Sequence, residues 1–152
     1  MIFFKDDLML DIEKSNQLSS QVYRDCLVIR EDVFVREQNV PIDLEIEGEE
    51  GPMYYCGYIN EKAVSCARVT VEENGAWHIQ RVATIEAFRK QGFSSQIIKA
   101  IIEDAKKAQV TEINLGAQDQ AQEFYVKLGF KVVGEGFEDA GIAHHKMVMT
   151  LQ

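Results

Sequence analysis

Between residues 53 and 108 the hydrophobic period changes once, and that change limits the possible folds more than any other feature. MYYCGYI (53–59) and AVSCARVTV (63–71) are short runs rich in aromatic and β-branched residues. The polar turn Asn60-Glu61-Lys62 between them predicts an antiparallel hairpin. Asn74-Gly75 is the strongest hairpin-turn dipeptide in the chain and leads into WHIQRVAT (77–84) as a third strand. From Ser94 to Ala108 the repeat becomes helical. Ile97, Ile98, Ile101, Ile102 and Ala105 fall on one face, with Gln96, Lys99, Glu103, Asp104, Lys106 and Lys107 on the other.

The flanking segments extend this plan. A first strand is expected within Ile2 to Glu13. Leu18, Val22, Tyr23, Cys26, Leu27, Ile29, Val33 and Phe34 then recur at near-helical spacing, predicting a helix capped by Ser15 or Asn16 that ends before Pro41. VTEINLG (110–116) reads as a strand, AQEFYVKLG as a helix stopped at Gly129, and FKVVGEGF and IAHHKMVMTL as closing strands. A meander, a crossover helix, a strand, a helix and two last strands give an α+β sheet rather than a doubly wound one. At 152 residues, with no linker, repeat or low-complexity tract, one domain over 1–152 is expected.

Composition narrows the function. With 46% hydrophobic and 27% charged residues the chain reads as soluble and globular, and no apolar run approaches the roughly 18 to 20 residues that span a bilayer. The start, MIFFKDD, turns acidic too early for a signal peptide, which points to the cytoplasm. Cys26, Cys56 and Cys66 lack zinc-ligand spacing, so no metal is expected. Cys56 and Cys66 would face each other across the first hairpin, either as a disulfide or, as reducing conditions favour, as two small hydrophobes. A formal net charge of -9 without a continuous basic surface disfavours nucleic acid and suits a cationic or amine-bearing substrate. The acidic run IDLEIEGEEG gathers Asp43, Glu45, Glu47, Glu49 and Glu50, either as a solvated loop or as an attractor for such a substrate.

Against that balance, the turn Arg89-Lys90-Gln91-Gly92-Phe93-Ser94 is cationic and opens the helix. Unpaired N–H groups and the positive end of the helix dipole make such a turn an anion site. It is not a P-loop, because the second glycine with its lysine and serine or threonine is absent. Nor is it a dinucleotide fingerprint, because Gly92 stands alone between Gly75 and Gly116.

The residues do resemble the GCN5-related N-acetyltransferase (GNAT) family. RVATIEAFRKQGFSSQIIKAII is similar to the family's acetyl-CoA motif, with Arg89, Gly92 and Ser94 in the three signature places; serine stands where glycine or alanine is usual. AQDQAQEFYVKLGF resembles the following strand-helix unit, with Gln118, Ala121, Phe124, Tyr125, Gly129 and Phe130 in order; Gln118 replaces the commoner asparagine. LVIREDVFVREQNVP and GEGFEDAGIAHHKM resemble a small bacterial subgroup of ElaA-like and YjcF-like proteins. The resemblance covers nearly the whole chain.

That resemblance implies a mixed, mostly antiparallel twisted sheet of about six to seven strands flanked by helices. It also implies acetyl-CoA as cofactor, an amine on a small molecule or peptide as acceptor, and dimers as common in the fold. Val82 and Ala83 would align the pantetheine through their backbone. Arg89, Lys90, Gln91, Gly92, Phe93, Ser94 and Ser95 would surround the pyrophosphate, the Ser94 hydroxyl included, and Gln118 would contact the cofactor. Tyr125 would be the general acid at the thioester sulfur, and His78 a candidate base. Arg30, Glu37 and Gln38 would border the acceptor cleft, with His144 or its neighbour His145 facing it. Packing or surface roles are the alternatives for each, and for Arg68 and Arg81 on central strands a paired structural role. Two functions follow: direct acetyl transfer to a primary amine, or a non-catalytic module that binds or senses acyl-CoA.

Overall fold

Asn60 and Glu61 both adopt left-handed backbone, φ +48° and +69°, and turn β2 (Met53–Ile59) directly into β3 (Lys62–Val71). Two such residues make the tight hairpin whose twist matches its strands, so the turn is shorter than expected and Lys62 already belongs to β3. The Asn74-Gly75 turn is longer. The Glu72 N–H donates to Ala76 O and the Gly75 N–H to Glu72 O, while the Asn74 side chain accepts from the Ala76 N–H, before β4 (Trp77–Thr84) begins.

The chain is described here by a computed structural model covering residues 8–46 and 48–152. β1 (Asp11–Ser15) starts later than the strand expected within Ile2 to Glu13, whose first residues lie outside the described ones, as does Glu47 of the acidic run. β1 pairs antiparallel with β2, Asp11 opposite Tyr58. β5 (Glu112–Gln118) runs parallel to β4, with His78 opposite Asn114, and antiparallel to β7 (Ile142–Thr150), which pairs antiparallel with β6 (Lys131–Asp139). The sheet has seven strands in the order β1-β2-β3-β4-β5-β7-β6, mostly antiparallel, as the α+β reading requires.

Two compact units make up the chain: residues up to Arg68 together with Arg81–Ala100, and Val69–Gln80 together with Ile101–Gln152. The core of the first gathers Cys26, Ile29, Val33, Tyr54, Cys56, Tyr58, Cys66 and Ala83. All three cysteines are free and buried. The second buries Ile113, Leu115, Ala117, Tyr125, Phe130 and Met147. Each fully buried aliphatic side chain contributes roughly 1.5–3 kcal/mol.

Ser20, rather than Ser15 or Asn16, caps α1 (Gln21–Arg30): its Oγ accepts from the Tyr23 N–H. Ser15 instead accepts from the Gln17 N–H in a local turn before the helix. α1 passes into a π-helical turn over Glu31–Glu37, where the Gln38 N–H reaches Val33 O. Within the acidic run, α2 (Ile42–Glu45) forms one short turn. α3 (Phe93–Lys107) starts one residue before the expected helix and ends one residue short of it. α4 (Gln122–Leu128) stops at Gly129, whose φ of +108° supplies the left-handed cap.

Candidate active site

At the end of β4 the chain makes a single helical turn over Glu86–Phe88, then places Lys90 at φ +64° and Gly92 at φ +81° before α3 begins at Phe93. The first N–H groups of a 15-residue helix have no partner within it. A methyl group on Gly92 would meet nothing within 4 Å, so backbone conformation, not crowding, calls for glycine here, and the space beside the turn is open. Phe93 anchors the turn in the core, Lys90 and Gly92 are exposed, and Gln91 and Ser95 are half-buried. An anionic group fits this turn.

Two side chains expected around that anion are engaged elsewhere. Arg89 holds Glu37 in a two-pronged pair, both N···O distances 2.7 Å, and its Nε donates to Thr84 O at 2.9 Å. That pairing holds the Glu37 carboxyl below the ordinary carboxylate range. The Ser94 hydroxyl lies 2.5 Å from Thr84 Oγ1, which lies 2.8 Å from Ser65 Oγ; Ser65 donates on to Ala83 O. A chain of hydroxyls thus fastens the first turn of α3 to β4 and β3, with Ser94 part of that fastening. Val82 is half-buried and Ala83 buried on β4.

Arg30 departs furthest from expectation. Instead of bordering an acceptor cleft it is 1% exposed, its Nε 2.8 Å from Glu45 Oε2 and its Nη1 3.0 Å from Glu49 Oε1. Glu45 also meets Arg81 Nε at 3.2 Å, and Glu49 meets Arg68 at 2.8 Å and accepts from the Tyr23 and Tyr54 hydroxyls. Burial opposes ionisation of Glu49, but the charge of Arg30 and these hydrogen bonds outweigh it and hold the carboxyl low. Burial, then the bond to Glu49, pushes the Tyr23 hydroxyl up to about 12. Two glutamates of the acidic run are therefore the counter-ions that Arg68 and Arg81 required, not a solvated attractor. Arg81 sits at φ +55° within β4, just beyond the pairing with β5 that runs from Trp77 to Ile79. A left-handed arginine is strained backbone, and its Nε donates to the Glu45 carbonyl oxygen. Gln38 ends the π-helical turn.

The second unit holds the other candidates. Tyr125, on α4, is buried between the rings of Phe124 and Phe130, at centroid distances of 4.9 and 5.9 Å. Burial alone raises its pKa above the ordinary tyrosine value, so its hydroxyl keeps its proton throughout the neutral range. His78 Nδ1 lies 2.5 Å from Asn114 Oδ1. His144, opposite Gln118 on β7, is buried, stacks on Phe137 at 5.6 Å, and donates from Nδ1 to Ile142 O. His145 faces the other way and pairs with Asp119 at 2.7 Å. Gln118 accepts from Gln120 at the end of β5.

Sequence reasoning missed Asn114, Glu72 and Glu112 around His78, and Glu45 and Glu49 around Arg30. The period-2 alternation of EINLGAQ carried the first signal, since it puts Glu112, Asn114, Gly116 and Gln118 on one face of β5. A charge on a central strand carried the second.

These elements define an acyl-CoA N-acyltransferase fold. The chain belongs to the GNAT family of acetyltransferases: residues 28–151 match the family's acetyltransferase (GNAT) domain. It is 36% identical over 127 residues to the uncharacterized N-acetyltransferase YjcF of Bacillus subtilis, covering 82% of this chain and 90% of that one. The crystal structure of Escherichia coli ElaA superposes with a TM-score of 0.81 at 28% identity, covering 93% of this chain and 99% of ElaA. The fold also recurs, at 17% identity and a TM-score of 0.66, in a GNAT family acetyltransferase from Elizabethkingia anophelis with acetyl-CoA bound; the match covers 93% of this chain and 98% of that one. Among the described residues no helix is long and apolar enough to cross a membrane, and no group of side chains is arranged to hold a metal ion.

Proposed function

We propose that this chain transfers the acetyl group of acetyl-CoA directly to a primary amine of a small molecule or peptide, acting as one cytoplasmic domain over residues 1–152. The observation that carries the reading is the turn into α3, where Lys90 and the left-handed Gly92 lead into a helix start beside open space. In this reading the backbone N–H groups from Lys90 to Ser95 hold the pyrophosphate, Lys90 adds charge, and the Val82 and Ala83 backbone aligns the pantetheine. Arg89 holds the turn in shape through Glu37 and Thr84 rather than touching phosphate.

When bound, acetyl-CoA supplies an activated thioester carbonyl. The chain's own residues handle protons around it. His78 takes a proton from the acceptor's ammonium group so that a neutral amine attacks, and Tyr125 donates a proton to the departing thiolate sulfur. As a tyrosine hydroxyl, Tyr125 carries a proton to give throughout the neutral range. His144, in the second unit, contacts the acceptor in this reading.

The test is a panel of primary amines with acetyl-CoA, followed by thiol release, for wild type and Tyr125→Phe. Turnover on at least one amine, reduced roughly 100-fold or more by Tyr125→Phe, is the expected result. A CoA-induced rise in melting temperature with no turnover on any amine would replace the enzyme by the acyl-CoA-binding module.

A further inference from the structure

His78 does not stand alone on its face of β4. Parallel pairing sets it opposite Asn114 on β5, so the two side chains project from the same face. Asn114 is 2% exposed and makes three side-chain contacts: its Nδ2 donates to Glu72 Oε1 at 2.7 Å and to Glu112 Oε2 at 3.2 Å, and its Oδ1 lies 2.5 Å from His78 Nδ1.

The orientation of that amide follows from charge. Reversed, it would press a carbonyl oxygen against two carboxylates, neither of which can donate when ionised. The two glutamates therefore fix Nδ2 toward themselves and Oδ1 toward the histidine. An amide oxygen only accepts, so His78 Nδ1 must carry the hydrogen. A neutral His78 then has its lone pair on Nε2.

From this we propose that Asn114 is a positioning residue, oriented by Glu72 and Glu112, that locks neutral His78 in the Nδ1–H tautomer with Nε2 as the proton acceptor. The role in catalysis rests on the reading of His78 as base, but the tautomer does not. In the proton transfer, Nε2 takes one proton from R–NH3+, leaving R–NH2 and an imidazolium with both nitrogens protonated. Nδ1 keeps its bond to Asn114 throughout, so the ring does not rotate, and the Nε2 proton passes to solvent afterwards.

The experiment is a long-range proton–nitrogen NMR spectrum of the imidazoles in 15N-labelled protein, at a pH where His78 is neutral, assigned with His78→Gln. Wild type needs no folding control. Its His78 is expected as a single tautomer, Nδ1 protonated and Nε2 bare; a protonated Nε2 or an averaged mixture overturns the proposal. In Asn114→Ala, provided its amide spectrum is that of a folded chain, the single tautomer should give way to a mixture. The kcat for amine acetylation should fall roughly tenfold or more, with the KM for acetyl-CoA within about twofold of wild type. A tautomer unchanged in Asn114→Ala also sinks the proposal. The expected tautomers with unaltered kcat in both Asn114→Ala and His78→Gln would leave the positioning by Asn114 intact and remove His78 as the base.

Discussion

Arg89 and Glu37 face each other through two parallel hydrogen bonds of 2.7 Å, joining the turn before α3 to the π-helical end of the segment that follows α1. Each side chain is about a third exposed, so solvent screens the pair and its contribution to stability is at most about 1 kcal/mol. Its sign with pH is set by Glu37. The folded-state pKa is depressed, so the stabilisation is complete above the ordinary glutamate value of about 4.3 and is lost as pH falls through the depressed value. Glu37→Gln should therefore lower the melting temperature slightly at pH 7, and the gap to wild type should close in acid. Thermal denaturation of both proteins at several pH values measures this.

The buried cluster behaves differently. Glu45 is 1% exposed and bridges Arg30 and Arg81, so Glu45→Ala removes a carboxylate shared by two guanidinium groups and leaves buried Arg30 with Glu49 alone. A loss of about 3–5 kcal/mol is expected in urea denaturation. Asp43→Ala, two residues away on the same short helix but exposed, should stay within about 0.5 kcal/mol of wild type. Equal effects of the two substitutions would contradict the inward role of Glu45.

Gly92→Ala places a side chain at φ +81°, at a cost of roughly 1–2 kcal/mol. There is room for the methyl group, so strain alone should set the stability loss. If the N–H groups of this turn hold pyrophosphate, the variant should also show a smaller CoA-induced rise in melting temperature than wild type. An equal rise would move the cofactor elsewhere.

The pH–rate profile tests Tyr125. An ordinary tyrosine near pH 10 would impose an alkaline decline there, whereas burial raises Tyr125 above that value. Rates on a neutral amine should show no decline attributable to tyrosine ionisation below pH 10. A decline at the ordinary value, absent in Tyr125→Phe, would place the hydroxyl in water.

Much of the fold was legible because it is local. Ile97 to Ala105 repeat at helical spacing, and Asn60-Glu61 and Gly129 sit where positive φ is needed. What sequence could not give was choice among equivalent partners. Ser15 and Ser20 are both good caps, and which one caps depends on where β1 releases the chain. The acidic run hid Glu45 and Glu49 among neighbours of identical charge, though Arg68 and Arg81 had already required partners on their strands. Arg89 matched a phosphate motif, yet nothing local distinguishes an arginine aimed at phosphate from one aimed at a glutamate 52 positions away. Around His78 the histidine stood out, but its hydrogen-bond partner Asn114 lies on the neighbouring strand, 36 positions along the chain.

The cluster of Arg30, Arg68 and Arg81 around Glu45 and Glu49 also changes how the molecule meets an ion at long range. It turns two carboxylates of the acidic run inward onto guanidinium groups, while the chain as a whole keeps a formal net charge of -9. An anionic cofactor such as acetyl-CoA would approach against that field until it reaches the turn at Lys90. Screening by salt should therefore speed its association, the reverse of what is seen when a basic surface gathers a nucleotide.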